Sequence, residues 1–141
     1  MQNKLIVLQG LPASGKSTLA KEMVQADPEG TIIVSRDAFR HALGEYWVPS
    51  RERYVSCLET YAIRKGLKEG YNVIIDATNL NEGVIGKWKD IAAEFDAPIE
   101  FIKLNTPLEV CLKRDGNPGR EHKVGESVII SFYNRYGNQL Y

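Results

Sequence analysis

The sequence predicts an α/β fold built on a four-stranded parallel sheet with helices on both faces. Three observations predict it. Short β-branched runs alternate with helical patterns along the chain, the order that makes strands parallel. The runs are apolar at consecutive positions, as in strands covered on both faces. And 141 residues with a formal net charge of zero, 43% hydrophobic and 26% charged, are expected to form one ordinary globular domain over residues 1–141.

The first strand is expected over Lys4 to Gln9, an apolar run ending at a glycine. A helix follows over residues 15–26, closed by the turn Asp27-Pro28-Glu29-Gly30. Thr31 to Ser35 is the second strand, and residues 37–43 a short helix stopped by Gly44. Tyr54, Val55, Leu58, Tyr61, Ala62 and Leu67 keep helical spacing over 51–68, with Gly70 as the cap. Asn72 to Asp76 is the third strand. Val84, Trp88, Ile91 and Phe95 mark one face of a helix over 82–95, ended by Ala97-Pro98. Ile99 to Leu104 is the fourth strand, and Pro107 starts a helix through about Lys113. Residues 114–123 read as a mobile polar loop. Val128, Ile129, Phe132, Tyr133 and Tyr136 mark a last helix.

Several function classes drop out. No apolar run approaches the ~20 residues that cross a bilayer, so no membrane partner is expected. The start shows no signal peptide. A net charge of zero argues against a general polyanion-binding surface but not against a local basic site. Cys57 and Cys111 make no disulfide framework and are expected as two buried thiols in a reduced, cytoplasmic compartment.

The first strand runs into Gly10-Leu11-Pro12-Ala13-Ser14-Gly15-Lys16-Ser17-Thr18, which fits G-x-x-x-x-G-K-[ST] at every fixed position. Glycines let the backbone wrap a phosphate with its N–H groups turned inward. The following helix presents its positive end to the same anion. Lys16 is then placed for the β- and γ-phosphates of ATP and Ser17 for Mg²⁺. A Gly-rich turn matching by accident is expected in about one chain in a hundred. The strand before and the helix after make that reading weaker still, and the fold becomes a P-loop NTPase fold.

The second strand ends in Ser35-Arg36-Asp37, followed by Ala38-Phe39-Arg40. Ligands of such sheets sit at the carboxyl ends of the strands, so Asp37 falls beside the P-loop. There a carboxylate can take the proton of an attacking hydroxyl. Arg40, one turn on, can hold a substrate phosphate in bidentate fashion. The plain structural alternative makes Asp37 the N-cap of the short helix. The third strand ends in Asp76-Ala77-Thr78-Asn79-Leu80-Asn81. Asp76 stands where a Walker B Asp would reach Mg²⁺, and Asn79 and Asn81 read as helix caps. The third cluster runs from Lys113 to Lys123 and holds five Lys, Arg or His. Beside a P-loop it reads as a basic lid, with Arg120 as the phosphate finger and Arg114 at its base. His122 reads as a surface residue.

Together, GLPASGKST, S-R-D-A-F-R, I-I-D-A-T-N-L-N and C-L-K-R-D-x-x-x-x-R resemble the polynucleotide 5′-hydroxyl kinase domain of bacteriophage end-healing enzymes, over about Lys4 to Tyr136. The resemblance implies an ATP- and Mg²⁺-dependent kinase acting on single-stranded DNA or RNA 5′-OH ends, with 3′-nucleotides as the minimal acceptor; relatives in this family carry a C-terminal phosphatase, and the expectation here is a stand-alone kinase. It also implies Lys16 and Ser17 on ATP phosphate and Mg²⁺, Asp37 as general base, Arg40 on the acceptor's 3′-phosphate, and Arg120 on the γ-phosphate. In the family pattern the Asp directly precedes T-N-L-N. Here Ala77 takes that place and Asp76 is one residue earlier. The motifs suit two other classes as well: a small-molecule kinase of the P-loop group (zeta-toxin-like or nucleoside kinase), and a nucleotide-binding module without phosphotransfer. They set neither DNA against RNA nor an oligomeric state. Arg51, Arg53, Arg64, Lys65 and Lys68, with Tyr46, Trp47 and Tyr54, suggest a basic, aromatic-lined groove for a single-stranded end, or simply an exposed charged helix face.

Overall fold

The computed structural model describes residues 3–120 and 123–141. Strands β1 (Leu5–Gln9), β2 (Thr31–Ser35), β3 (Asn72–Asp76) and β4 (Ile99–Lys103) form one parallel sheet in the order β2-β3-β1-β4. Helices α1 (Lys16–Ala26), α2 (Arg36–Ala42), α3 (Glu52–Lys68), α4 (Glu82–Glu94), α5 (Leu108–Asp115) and α6 (Glu126–Leu140) lie between and after them, and a 3-10 turn spans Pro49–Arg51.

Consecutive apolar residues let each strand feed two cores. Leu5, Val7, Val73 and Ile75 face α3 and α4, against Ile63, Leu67, Trp88 and Ile91. Ile6, Leu8 and Ile74 face the other way, onto α1 through Ala20, Leu19 and Met23. A third cluster of Leu11, Leu80, Cys111, Ile129 and Leu140 packs α5 and α6 beneath the loop after β1. β1 is central and fully buried, so the loop that follows it starts from the most rigid part of the sheet.

Two expectations about α3 need correction. Its buried side carries Val55, Glu59, Ile63, Gly66 and Leu67, while Tyr54 and Tyr61 are exposed, at 56% and 67%. A Cβ on Gly66 would lie 2.8 Å from both Ile32 Cδ1 and Val73 Cγ2, so the missing side chain lets this face approach the sheet. Cys57, on the outward side, is exposed; only Cys111 is buried. No helix among the described residues is long and apolar enough to cross a membrane.

Candidate active site

The loop Gly10–Gly15 leaves the C-terminal end of β1. Two of its residues take left-handed backbone, Ala13 at φ 65° and Gly15 at φ 102°; the first is uncommon for a residue with a Cβ. Such a turn directs successive N–H groups to one concave side. Gly15 is also the N-cap of α1 and supplies no side-chain cap, so the positive end of α1 opens into the same hollow. A Cβ at Gly10 would sit 2.6 Å from Ser14 Oγ. From outside, Thr106 Oγ1 donates to Ser14 O at 2.7 Å, and Tyr141 OH donates to Thr106 O.

Lys16 is buried and folded back on this loop. Its Nζ donates to Leu11 O at 2.7 Å and Gly10 O at 3.2 Å. Burial pulls its ammonium down to about 8, against the upward pull of Asp76, Cys111 and Asp37. Arg120 adds a smaller downward push. Asp37, Asp76 and Arg120, far apart in the chain, therefore all act on one amine. Ser17 and Thr18 are exposed in the first turn of α1, and Ser17 Oγ donates to Asp76 Oδ2 at 2.7 Å. Pairing of Ser35 with Asp76 in the sheet brings the ends of β2 and β3 together, which places Asp37 at the same edge of the sheet as Asp76.

Asp37 does not cap α2. Ser35 does, its Oγ accepting from Ala38 N at 3.2 Å. The Asp37 side chain is 63% exposed, and its Oδ1 receives both Arg40 Nη1 at 2.6 Å and Tyr46 OH at 2.8 Å. Arg40 is held further by Glu52, with Nη2 to Oε1 at 2.6 Å and Nε to Oε2 at 3.0 Å. That pair holds the Glu52 carboxyl below its ordinary value. Arg36 continues the chain, reaching Glu52 Oε1 at 3.3 Å, Ser56 Oγ at 3.0 Å and the buried Glu59 Oε1 at 2.8 Å. Burial pushes the Glu59 carboxyl up. The order Glu59–Arg36–Glu52–Arg40–Asp37 thus ties the exposed carboxylate to the core side of α3.

Arg114 lies in the last turn of α5, not in a loop, with Nη1 3.5 Å from Ala13 O. It sits against the P-loop backbone at the start of the basic segment. Arg120 Nε is 3.3 Å from Oδ1 of the buried Asp115. Asp115 also accepts from Val124 N at 2.7 Å and Gly125 N at 2.9 Å, so one carboxylate gathers both ends of the segment. His122 lies outside the described residues.

Asn79 is not a helix cap. At φ 52° and buried, it donates to Leu8 O at 2.6 Å and Ile75 O at 3.2 Å, and accepts from Trp88 Nε1 at 3.0 Å. It clamps the ends of β1 and β3 beneath the P-loop. Asn81 does cap α4, accepting from Gly83 N at 2.8 Å. Of the expected groove, Tyr46 and Trp47 reach the site, whereas Arg64 pairs with Glu94 at 3.0 Å and Lys65 with Glu69 at 2.8 Å.

Sequence reasoning missed Glu52, Arg36, Glu59 and Asp115 as site-building residues. Glu59 had a signal: an acid spaced four residues from Val55 and Ile63 on one helical face requires a buried cation. Asp115 stood within the quoted C-L-K-R-D motif without a role.

A family described as an AAA domain matches residues 5–136. The chain is 33% identical over 135 residues to an L-seryl-tRNA(Sec) kinase of Methanococcus maripaludis, covering 94% of this chain and 52% of that protein. It is 30% identical over 138 residues to a bifunctional polynucleotide phosphatase/kinase of Schizosaccharomyces pombe, covering 94% and 29%. A chain in a structure of the Pnkp1/Rnl/Hen1 RNA repair complex superposes with a TM-score of 0.86 at 27% identity, covering 97% of this chain and 45% of that one. The chain therefore spans about half the length of the first of these relatives and less of the others. As the motifs implied, polynucleotide kinases are among its relatives. The chain belongs to this AAA-domain family, as a P-loop kinase domain.

Proposed function

We propose that this domain transfers the γ-phosphoryl group of ATP to the 5′-hydroxyl end of DNA or RNA. The observation that carries the reading is the exposed Asp37 carboxylate, gripped by Arg40 and acting on the P-loop Lys16. Simple nucleotide binding requires no such carboxylate. Asp37 Oδ2, opposite the oxygen that Arg40 and Tyr46 hold, takes the hydroxyl proton. The freed oxygen attacks the γ-phosphorus, the bridging P–O bond to the β-phosphate breaks, and ADP leaves. Arg120 faces the charge that spreads over the γ-oxygens. Ser17 Oγ and the Asp76 carboxylate, 2.7 Å apart, suit Mg²⁺, which takes one or two protein oxygens beside phosphates and waters. Bound there, the ion would neutralise charge on the phosphates.

Lys16 makes nucleotide binding pH-dependent. Its free-state value near 8 means it is charged below that pH and increasingly neutral above it. Phosphates favour the charged form, so binding above pH 8 takes up a proton, approaching one per ATP. ATP affinity is expected to fall as pH rises through 8 and to level off just below it. Calorimetry at pH 9 in buffers of different ionisation enthalpy reads the uptake, which Lys16→Arg should lack.

The acceptor is tested through Arg40. Nη1 and Nη2 each carry a second hydrogen beyond those on Asp37 and Glu52, so the guanidinium can also meet a phosphate. A nucleic-acid end offers one on the 3′ side of its first nucleotide; a nucleoside does not. kcat/KM for a 3′-nucleotide should exceed that for the nucleoside by about 10–150-fold. Arg40→Ala should erase most of that preference. Equal wild-type values would overturn the polynucleotide reading. A second reading follows from the 33% identity to a seryl-tRNA(Sec) kinase: the accepting hydroxyl sits on an aminoacyl-tRNA. Radiolabelled transfer to 5′-OH oligomers, 3′-nucleotides, seryl-tRNA and sugar nucleotides separates the classes.

A further inference from the structure

Trp47 is the largest exposed side chain the proposed reaction leaves unused, and it stands against Arg40, which grips the proposed base. The residue is 56% exposed, yet its ring is not adrift. The Arg40 guanidinium lies 5.7 Å from the ring centroid. Arg40 is itself locked by two bonds to Glu52 and one to Asp37. One face of the indole thus rests on a fixed cation, and the exposed remainder is turned to solvent. A fixed, desolvated cation under an aromatic face holds that ring in place. A large flat surface kept exposed at such a point is a platform for another flat ring. Two other aromatics are differently placed. Tyr46 has its hydroxyl on Asp37 and its ring against His41 at 4.9 Å. Tyr61 lies in the middle of α3.

We propose that Trp47 stacks on the base of the acceptor's first nucleotide, making it the residue that selects a nucleobase-bearing acceptor. The inference rests on the polynucleotide reading above. Arg40 lies between the platform and the carboxylate, so the two ends of one nucleoside find separate partners: the hydroxyl on Asp37 and the base on Trp47. Stacking reads no hydrogen-bond pattern, so all four bases should serve.

The test compares a nucleoside 3′-phosphate with its abasic counterpart, in which hydrogen replaces the base. In the wild type the abasic acceptor should show a KM about 5–150-fold higher, with kcat little changed. Trp47→Leu should raise KM for the base-bearing acceptor to the abasic value, and Trp47→Phe should keep most of the preference. With ADP present, the base-bearing acceptor should quench tryptophan fluorescence, and the quench should vanish in Trp47→Phe, because the other tryptophan, Trp88, is buried with its indole N–H on Asn79. Tyr61→Leu should change nothing. If Trp47→Leu keeps the base preference, or Tyr61→Leu removes it equally, the platform assignment fails while the kinase reading stands. If neither acceptor is phosphorylated but seryl-tRNA or a sugar nucleotide is, the polynucleotide reading fails and the platform with it.

Discussion

Arg120→Ala is expected to slow phosphoryl transfer about 10³–10⁵-fold while weakening acceptor binding far less. Negative charge on the γ-oxygens is spread differently in the transition state than in bound ATP, and a cation placed over them acts mainly on that difference. Arg120 is within electrostatic reach of Lys16, and its Nε meets Asp115, so its place is set from the buried end of α5. Without Arg120 the buried Asp115 carboxylate loses its cation but still accepts from Val124 N and Gly125 N, so a thermal melt of the variant accompanies the rates. Arg114→Ala is expected to cost less, because Arg114 sits against the P-loop backbone at the base of the segment. Single-turnover rates at saturating ATP, with acceptor KM measured separately, check both. The reverse ranking would mean that Arg114 meets the γ-phosphate and Arg120 anchors the segment.

Asp37→Asn is expected to lower kcat about 10²–10⁴-fold and to leave ATP affinity almost unchanged. The amide keeps the shape of the carboxylate and can still accept from Arg40 and Tyr46, but it cannot take a proton. Stability is expected to hold, because α2 is capped by Ser35 and the Asp37 side chain is largely in solvent. The check is kcat and nucleotide binding on one preparation, with a thermal melt beside them. A variant with wild-type kcat would place the base elsewhere.

Much of this protein follows from residues adjacent in the chain. The four strands are legible because each is a short, continuous apolar run, and a run apolar on both faces needs helices on both sides. The P-loop is legible because its chemistry is local: nine consecutive residues build the hollow, the amine and the hydroxyl. The location of Asp37 follows from a topological rule, since strand ends in a parallel sheet share one edge.

The rest depends on which side of each helix turns inward, and hydrophobicity alone misjudges that for α3. Tyr54 and Tyr61 are apolar enough to suggest a core face, but Gly66 sets the rotation, because only a residue without a side chain fits 2.8 Å from where Ile32 and Val73 stand. That rotation buries Glu59, whose carboxylate then requires Arg36, and Arg36 leads through Glu52 to Arg40 and Asp37. Asn79 resembles a cap because caps are local, yet its partners Leu8 and Trp88 are brought to it only by the sheet and α4. The sequence by itself determined the sheet, the phosphate loop and the position of the acid. Tertiary structure alone decided what holds that acid in place, because ion pairs and clamps form between residues that only packing makes neighbours.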